Sequence, residues 1–200
     1  IPHARGIELV GSWDIHPDNV KEMKAGIKDL GWECVSIIPD LFANPTFSRG
    51  SYSSKDPKER RQAIDYTKKM CDIAMELKCP LLNLWPGQDG YDYIFTADYL
   101  RERDWIVEAV TELAQAYPKM KFALEYKPKE PRTHSYLART ADTLLLAQET
   151  GCSNVGITID TGHALMGGEL VAEAITLAHR AGEKLFHMHF NDNYASWDDD

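Results

Sequence analysis

Membrane-length apolar runs, paired cysteines and concentrated basic charge are all missing from this sequence, and each absence excludes a class of protein. No stretch of the 200 residues is long and apolar enough to cross a membrane, and Ile1-Pro-His-Ala-Arg5 does not read as a secretory signal. The four cysteines, Cys34, Cys71, Cys79 and Cys152, form no CxxC pair, and three of them sit among apolar neighbours. Buried thiols in a reducing cytoplasm are therefore the expectation. Net charge is −9, and no basic block exceeds Lys58-Glu-Arg-Arg61. That argues against a nucleic-acid partner, because a duplex-binding face concentrates Lys and Arg. Also absent are a Walker loop, a G-x-S-x-G elbow and an H-E-x-x-H helix. A small neutral or cationic ligand suits this charge better.

What is present is an alternation of strand and helix. Hydrophobic content is 44%, enough for a sizeable single core. Apolar residues at Val20, Met23, Ile27 and Leu30 have helical spacing over Pro17–Leu30, and Gly31 stops that helix. Asp56-Pro57 reads as an N-cap and first turn, opening a second helix that ends near Lys78. A third helix is predicted from about Asp98 to Tyr117, and Leu41 to Lys55 reads as a long loop. Strands are predicted near residues 8, 36, 83, 123, 157 and 187. No linker or composition shift divides residues 1–200, so one domain is expected. The alternation implies a parallel sheet with right-handed crossovers.

Three of these strands close on a polar residue. Phe122-Ala-Leu-Glu125, Val155-Gly-Ile-Thr-Ile-Asp160 and Leu185-Phe-His-Met-His189 each carry an apolar run into a metal-type ligand. A polar group ending a buried strand is costly unless it has a partner. The ligands lie 35 and 29 residues apart, close to the roughly 31 residues that each βα unit of a (β/α)8 TIM barrel uses. All strand C-termini of that fold open on one face, so one ligand per successive strand builds one site. Eight strands close such a barrel, and six are counted here. The expectation is an incomplete TIM barrel covering strands 2 to 7, with one strand before Ile1 and one after Asp200. A doubly wound open sheet is the competing fold, but no Gly-rich phosphate loop follows the first strand. Each ligand alone also has an ordinary explanation: a capping glutamate, a turn aspartate, a satisfied core histidine.

The segment Glu125-Tyr-Lys-Pro-Lys-Glu-Pro-Arg132 resembles the Glu-x-Lys-Pro-x-Glu-Pro motif of the metal-dependent xylose isomerases. The wider chain resembles the sugar isomerase/epimerase superfamily, closest to two-metal isomerases of the xylose and L-rhamnose type. The resemblance implies that Glu125, Asp160 and His189 hold one divalent ion (Mn²⁺, with Mg²⁺ or Co²⁺ possible), joined by an acidic residue on the last strand. It implies a second ion held by His163, three residues beyond Asp160, and by Asp198 and Asp200, with Asp160 near both. A solvated acidic tail is the plain alternative for 198–200. Lys127, two residues after Glu125, points to the same side of a strand, and the resemblance implies that it polarises a carbonyl or holds a substrate hydroxyl. The role of Glu130 stays open between subunit contact and site support. Trp85 looks like the aromatic wall of a sugar pocket, packing on C–H faces and excluding water, though a packing tryptophan reads the same. Trp13 also follows a strand end.

The function so implied is interconversion of an aldose and a ketose by metal-assisted hydride shift, with Glu125, Lys127 and His163 as catalytic candidates. Trp85, Lys127 and His163 are the substrate-binding candidates. Alternatives on the same barrel are a one-metal ketose epimerase or a C-glycoside-cleaving lyase, and more remotely an endonuclease IV-like enzyme or a non-catalytic subunit. A sugar substrate, a cytoplasmic location and a homodimer or homotetramer complete the expectation.

Overall fold

The computed structural model describes residues 3–194. Among these described residues, eight strands fall in two sheets. Six are parallel: β1 (Gly6–Val10), β2 (Glu33–Ile38), β3 (Leu81–Leu84), β5 (Lys121–Glu125), β7 (Val155–Asp160) and β8 (Leu185–His189). The other two, β4 (Gly90–Tyr91) and β6 (His134–Ser135), make a small antiparallel ribbon. Six helices accompany them: α1 (Val20–Asp29), α2 (Pro57–Leu77), α3 (Tyr99–Ala116), α4 (Thr140–Glu149), α5 (Thr161–Met166) and α6 (Val171–Arg180).

The parallel strands lie side by side in chain order, β1-β2-β3-β5-β7-β8. A doubly wound sheet reverses its strand order at a switch point, and the described strands show no reversal. The sheet is six strands of a TIM-type barrel. β3 and β7 are buried along their whole length, as expected of strands covered on both faces. Phe122, Leu124, Ile157 and Ile159 join Ile106, Leu113 and Leu146 from the helices in one core. Three cysteines, Cys34, Cys71 and Cys79, are buried with them, and Cys152 is half-buried.

Local chemistry sets the element ends. The Asp56 carboxylate accepts from Lys58 N–H with Pro57 at the first helical position, the arrangement read from the sequence. Gly31 ends α1 with φ +65°, a left-handed conformation cheap only for glycine. α1 starts at Val20 rather than Pro17, because Asn19 Oδ1 is engaged by His16 N–H in a preceding turn. The helix after β7 is split into α5 and α6, and Gly168 sits at φ +70° between them.

The segment read as a long loop is pinned rather than loose. Backbone N–H groups of Ser51, Tyr52 and Ser53 and the hydroxyls of Ser51 and Ser53 all donate to the Asp89 carboxylate. This ties residues 51–53 to the start of the β4·β6 ribbon, itself a feature absent from the sequence reading. Among the described residues, no helix is long and apolar enough to cross a membrane.

Candidate metal centre and active site

Strand register assembles the site. β5 and β7 align Glu125 with Thr158, and β7 and β8 align Asp160 with His189. Glu125, Asp160 and His189 therefore end three neighbouring strands at one mouth, as their spacing predicted. The Asp160 carboxylate also caps α5, accepting His163 N–H at 2.8 Å. That cap turns the His163 ring inward, so the Asp-x-x-His spacing becomes a contact. Nδ1 of His163 and Nδ1 of His189 each lie 3.3 Å from Glu125 Oε1. Asp160 oxygens stand 3.8 Å from His163 Nδ1 and 3.7 Å from His189 Nδ1.

Glu125, Asp160 and His163 are 3–5% exposed. Two buried carboxylates beside two imidazoles form a charge arrangement that burial would punish without mutual pairing. Burial pushes the Glu125 carboxyl up, yet hydrogen bonds from His163 and His189 outweigh it and hold it down at about 2. Burial likewise pushes His189 down, and its bonds to Glu125 and Glu8 win, raising it to about 11. His163 is raised by Glu125 and Asp160 against its own burial. Ligand atoms of Glu125, Asp160 and His163 lie within 4.8 Å of one another, and His189 joins them through Nδ1. A carboxylate and imidazole set of this kind fits Mn²⁺, Co²⁺ or Zn²⁺. Asp198 and Asp200, expected on a second ion, lie outside the described residues.

Three of the candidate ligands, Glu125, Asp160 and His189, have outer partners that the sequence reading missed. Asn83 Nδ2 donates to Glu125 Oε2 at 2.7 Å, and its Oδ1 accepts from the Thr158 hydroxyl at 2.6 Å. Asn191 Nδ2 donates to Asp160 Oδ2 at 3.1 Å while its Oδ1 takes Gly162 N–H at 2.5 Å. Glu8 Oε1 lies 2.8 Å from His189 Nε2. The signal was present in the sequence: Glu8 interrupts Ile7-Glu-Leu9, and Asn83 interrupts Leu82-Asn-Leu84. Both sit inside an apolar strand rather than at its end.

Lys127 is 4% exposed, which excludes a solvated surface lysine. Strand alternation sends Glu125 and Lys127 to one side, where they pack closely with Trp85, Ser135 and Leu137, while Tyr126 turns the other way to bond Thr140. The Lys127 ammonium lies 5.3 Å from the Trp85 ring centroid and 3.4 Å from Glu130 Oε2, which ties Glu130 to Lys127. Trp85 lies 6.2 Å from the His163 ring and 4.5 Å from Phe42, and Phe42 lies 5.5 Å from Trp13. A row of aromatic rings thus runs outward from the candidate ligands, and Phe42 joins it where the sequence marked only Trp85 and Trp13. A larger cleft of about 670 Å³ lies elsewhere, beside Lys55 and Arg132. Its Arg49, Lys55 and Arg132 are each engaged by acidic or carbonyl oxygens.

Residues 4–200 match the family model described as xylose isomerase-like TIM barrel. Among curated proteins, a xylose isomerase of Thermus thermophilus is 30% identical over 183 residues, covering 88% of this chain and 47% of that protein. The chain spans about half the length of the curated relatives it matches. Among solved structures, a D-tagatose 3-epimerase-like protein aligns with a TM-score of 0.80 at 21% identity, over 96% of this chain and 69% of that one. A zinc-bound structure of the IOLI protein aligns at 0.72 with 17% identity, over 92% and 62%. At these identities the solved structures speak for the fold alone.

Proposed function

The chain belongs to the xylose isomerase-like TIM barrel family, and we propose that it carries most of the active site of a divalent-metal-dependent sugar isomerase converting an aldose to a ketose. Glu125, Asp160 and His189 are the residues that would hold one ion, Mn²⁺ first and Mg²⁺ or Co²⁺ next, with Asp160 also near the second. A second ion would use His163 with Asp198 and Asp200. A bound divalent ion supplies electrophilic polarisation of the sugar's oxygens.

The chain's own groups do the rest. Lys127 offers a buried ammonium, a donor to the carbonyl or hydroxyl oxygen at the reacting carbons. Trp85, extended by Phe42, presents an aromatic face to the sugar's C–H groups and keeps water from the reacting centre. Asn83 and Asn191 fix the two carboxylates, so that little reorganisation accompanies the reaction. The observation that carries the reading is the placement of Lys127: a buried ammonium over Trp85, packed on the same side as Glu125. Hydride transfer between C1 and C2 needs such a group on the carbonyl oxygen and a dry path. The xylose isomerase relatives support the same chemistry.

A ketose epimerase is the second reading, favoured by Glu125 Oε1, a buried carboxylate oxygen aimed into the centre that can serve as a base. Mn²⁺-loaded full chain, incubated in D₂O with a panel of aldoses and ketoses, separates the two. Hydride shift leaves the product free of solvent deuterium at the transferred position, whereas proton abstraction introduces it. No turnover of any sugar with metal bound would sink both readings. A homodimer or homotetramer, as the resemblance implies, is part of the proposal.

A further inference from the structure

Glu8 was not among the candidate ligands, and it does not belong to the strand triplet that supplies them. It lies on β1, at the opposite edge of the sheet from β8 and 181 residues from His189. Curling of the sheet brings the two together across the mouth, with Glu8 Oε1 2.8 Å from His189 Nε2. The other nitrogen of that ring, Nδ1, faces Glu125 Oε1 at 3.3 Å and Asp160 Oδ2 at 3.7 Å. Glu8 Oε2 is approached in turn by His187 Nε2 at 3.1 Å. The His187 and His189 rings meet edge-on, 5.0 Å apart at 85°. The Glu8 carboxylate is therefore wedged between two imidazoles.

We infer that Glu8 is the positioning residue of the metal centre, holding His189 in the tautomer and orientation that aim Nδ1 at the ion; this rests on the metal site proposed above. A neutral imidazole has one N–H and one lone pair. An ionised carboxylate only accepts, so the proton of neutral His189 resides on Nε2, toward Glu8. The lone pair is then left on Nδ1, the nitrogen that faces Glu125 and Asp160. A carboxylate behind a metal-bound histidine also raises the basicity of the ligating nitrogen, and losing such a partner typically costs about 10–100-fold in metal affinity.

The same three residues admit a different use. Ligand atoms of Glu8, His187 and His189 lie within 4.8 Å of one another and could hold an ion of their own. That arrangement requires the opposite tautomer, with Nε2 of His189 on the ion and the proton on Nδ1. The two uses are thus separated by the position of one proton.

Two measurements on the full chain test the inference. In the first, the wild-type chain is loaded with Zn²⁺, which is diamagnetic, and long-range ¹H–¹⁵N correlation assigns the His189 ring nitrogens. The expected result is a protonated Nε2 and a metal-bound Nδ1; a protonated Nδ1 with Nε2 on zinc overturns the inference. In the second, Mn²⁺ is titrated into wild type and Glu8→Ala, after circular dichroism has shown that both share one fold. The expected result is a loss of affinity of about 10–100-fold, with Glu8→Gln intermediate because its amide oxygen still accepts. An unchanged Mn²⁺ affinity in Glu8→Ala overturns the role. Failure of the wild type itself to bind metal overturns the centre and Glu8's part in it. The tautomer measurement needs no variant and stands if Glu8→Ala does not fold.

Discussion

The Asn83 amide reaches across from β3 and donates to Glu125 Oε2 at 2.7 Å, with both residues buried. The other end of that amide takes the Thr158 hydroxyl proton at 2.6 Å. The hydroxyl fixes which end of Asn83 is the acceptor, and so forces its N–H₂ onto the carboxylate. One oxygen of Glu125 is thereby held by the scaffold while the other, Oε1, is left facing His163 and His189.

Replacing Asn83 with Leu strands the Thr158 hydroxyl and a carboxylate oxygen in a buried layer. A loss of about 1–3 kcal/mol is expected in urea unfolding of the metal-free chain, together with weaker Mn²⁺ binding. A variant with wild-type stability and wild-type affinity would show that the Asn83 bridge does not hold Glu125.

Glu125→Gln removes the charge that faces both histidines. Mn²⁺ binding should weaken by at least about tenfold, the scale on which lost partners of a metal site are felt, and metal-dependent sugar turnover should disappear. Undiminished turnover in this variant would falsify the proposed chemistry.

Stability of the metal-free chain should depend on pH in a defined way. Glu125, held at about 2 against an ordinary 4.5, contributes stability that is present above pH 4.5 and lost as pH falls toward 2. His189, raised to about 11 from an ordinary 6.5, contributes stability that is full below pH 6.5 and lost as pH rises toward 11. Both contributions are complete only between 4.5 and 6.5. Urea midpoints of metal-free protein should peak in that window; midpoints that climb steadily from pH 6 to 9 would contradict the pairing.

Metal binding should release protons. His189 is protonated at neutral pH in the metal-free chain, and an imidazole must lose its proton to ligate. Affinity for Mn²⁺ should therefore rise about tenfold per pH unit for each proton displaced, between pH 6 and 9. Calorimetry in buffers of different ionisation enthalpy counts those protons directly. A pH-independent affinity with no proton release would place His189 outside the ligand set.

Gly162→Ala tests the α5 entrance. A Cβ there would stand 2.4 Å from Asn191 Oδ1 and 2.9 Å from Asn193 Nδ2, which now bond the backbone of residue 162. Displacing Asn191 also removes its bond to Asp160. Overpacking of this kind costs about 1–3 kcal/mol, and thermal unfolding should register it. An alanine tolerated without loss would mean that the 191–193 segment is free to shift aside.

Strands, helices and candidate ligands were legible in the sequence to different depths. The six sheet strands and helices α2 and α3 follow from apolar runs, N-caps and stop residues, all of them local. Glu125, Asp160 and His189 were legible because a polar residue closing an apolar run is a local anomaly whose 35- and 29-residue spacing repeats the βα unit. The β4·β6 ribbon, two residues to each strand, has no periodicity to read. Asp89 looked like an ordinary loop residue until the 51–53 backbone closed around it.

By itself, then, the sequence determined the order of elements, the parallel sheet and the ends of the strands that carry the candidate ligands, because hydrophobic periodicity and capping act over a few residues. Only the tertiary structure decided which polar groups meet. The curl of the sheet carried Glu8 to His189, strand register set Asn83 between Glu125 and Thr158, and the cap on α5 turned His163 toward Glu125. Those contacts join residues 38 to 181 positions apart, apart from the three-residue cap itself. Hydrogen bonds depend on direction and on separations near 3 Å, and no local pattern in the chain records such distances.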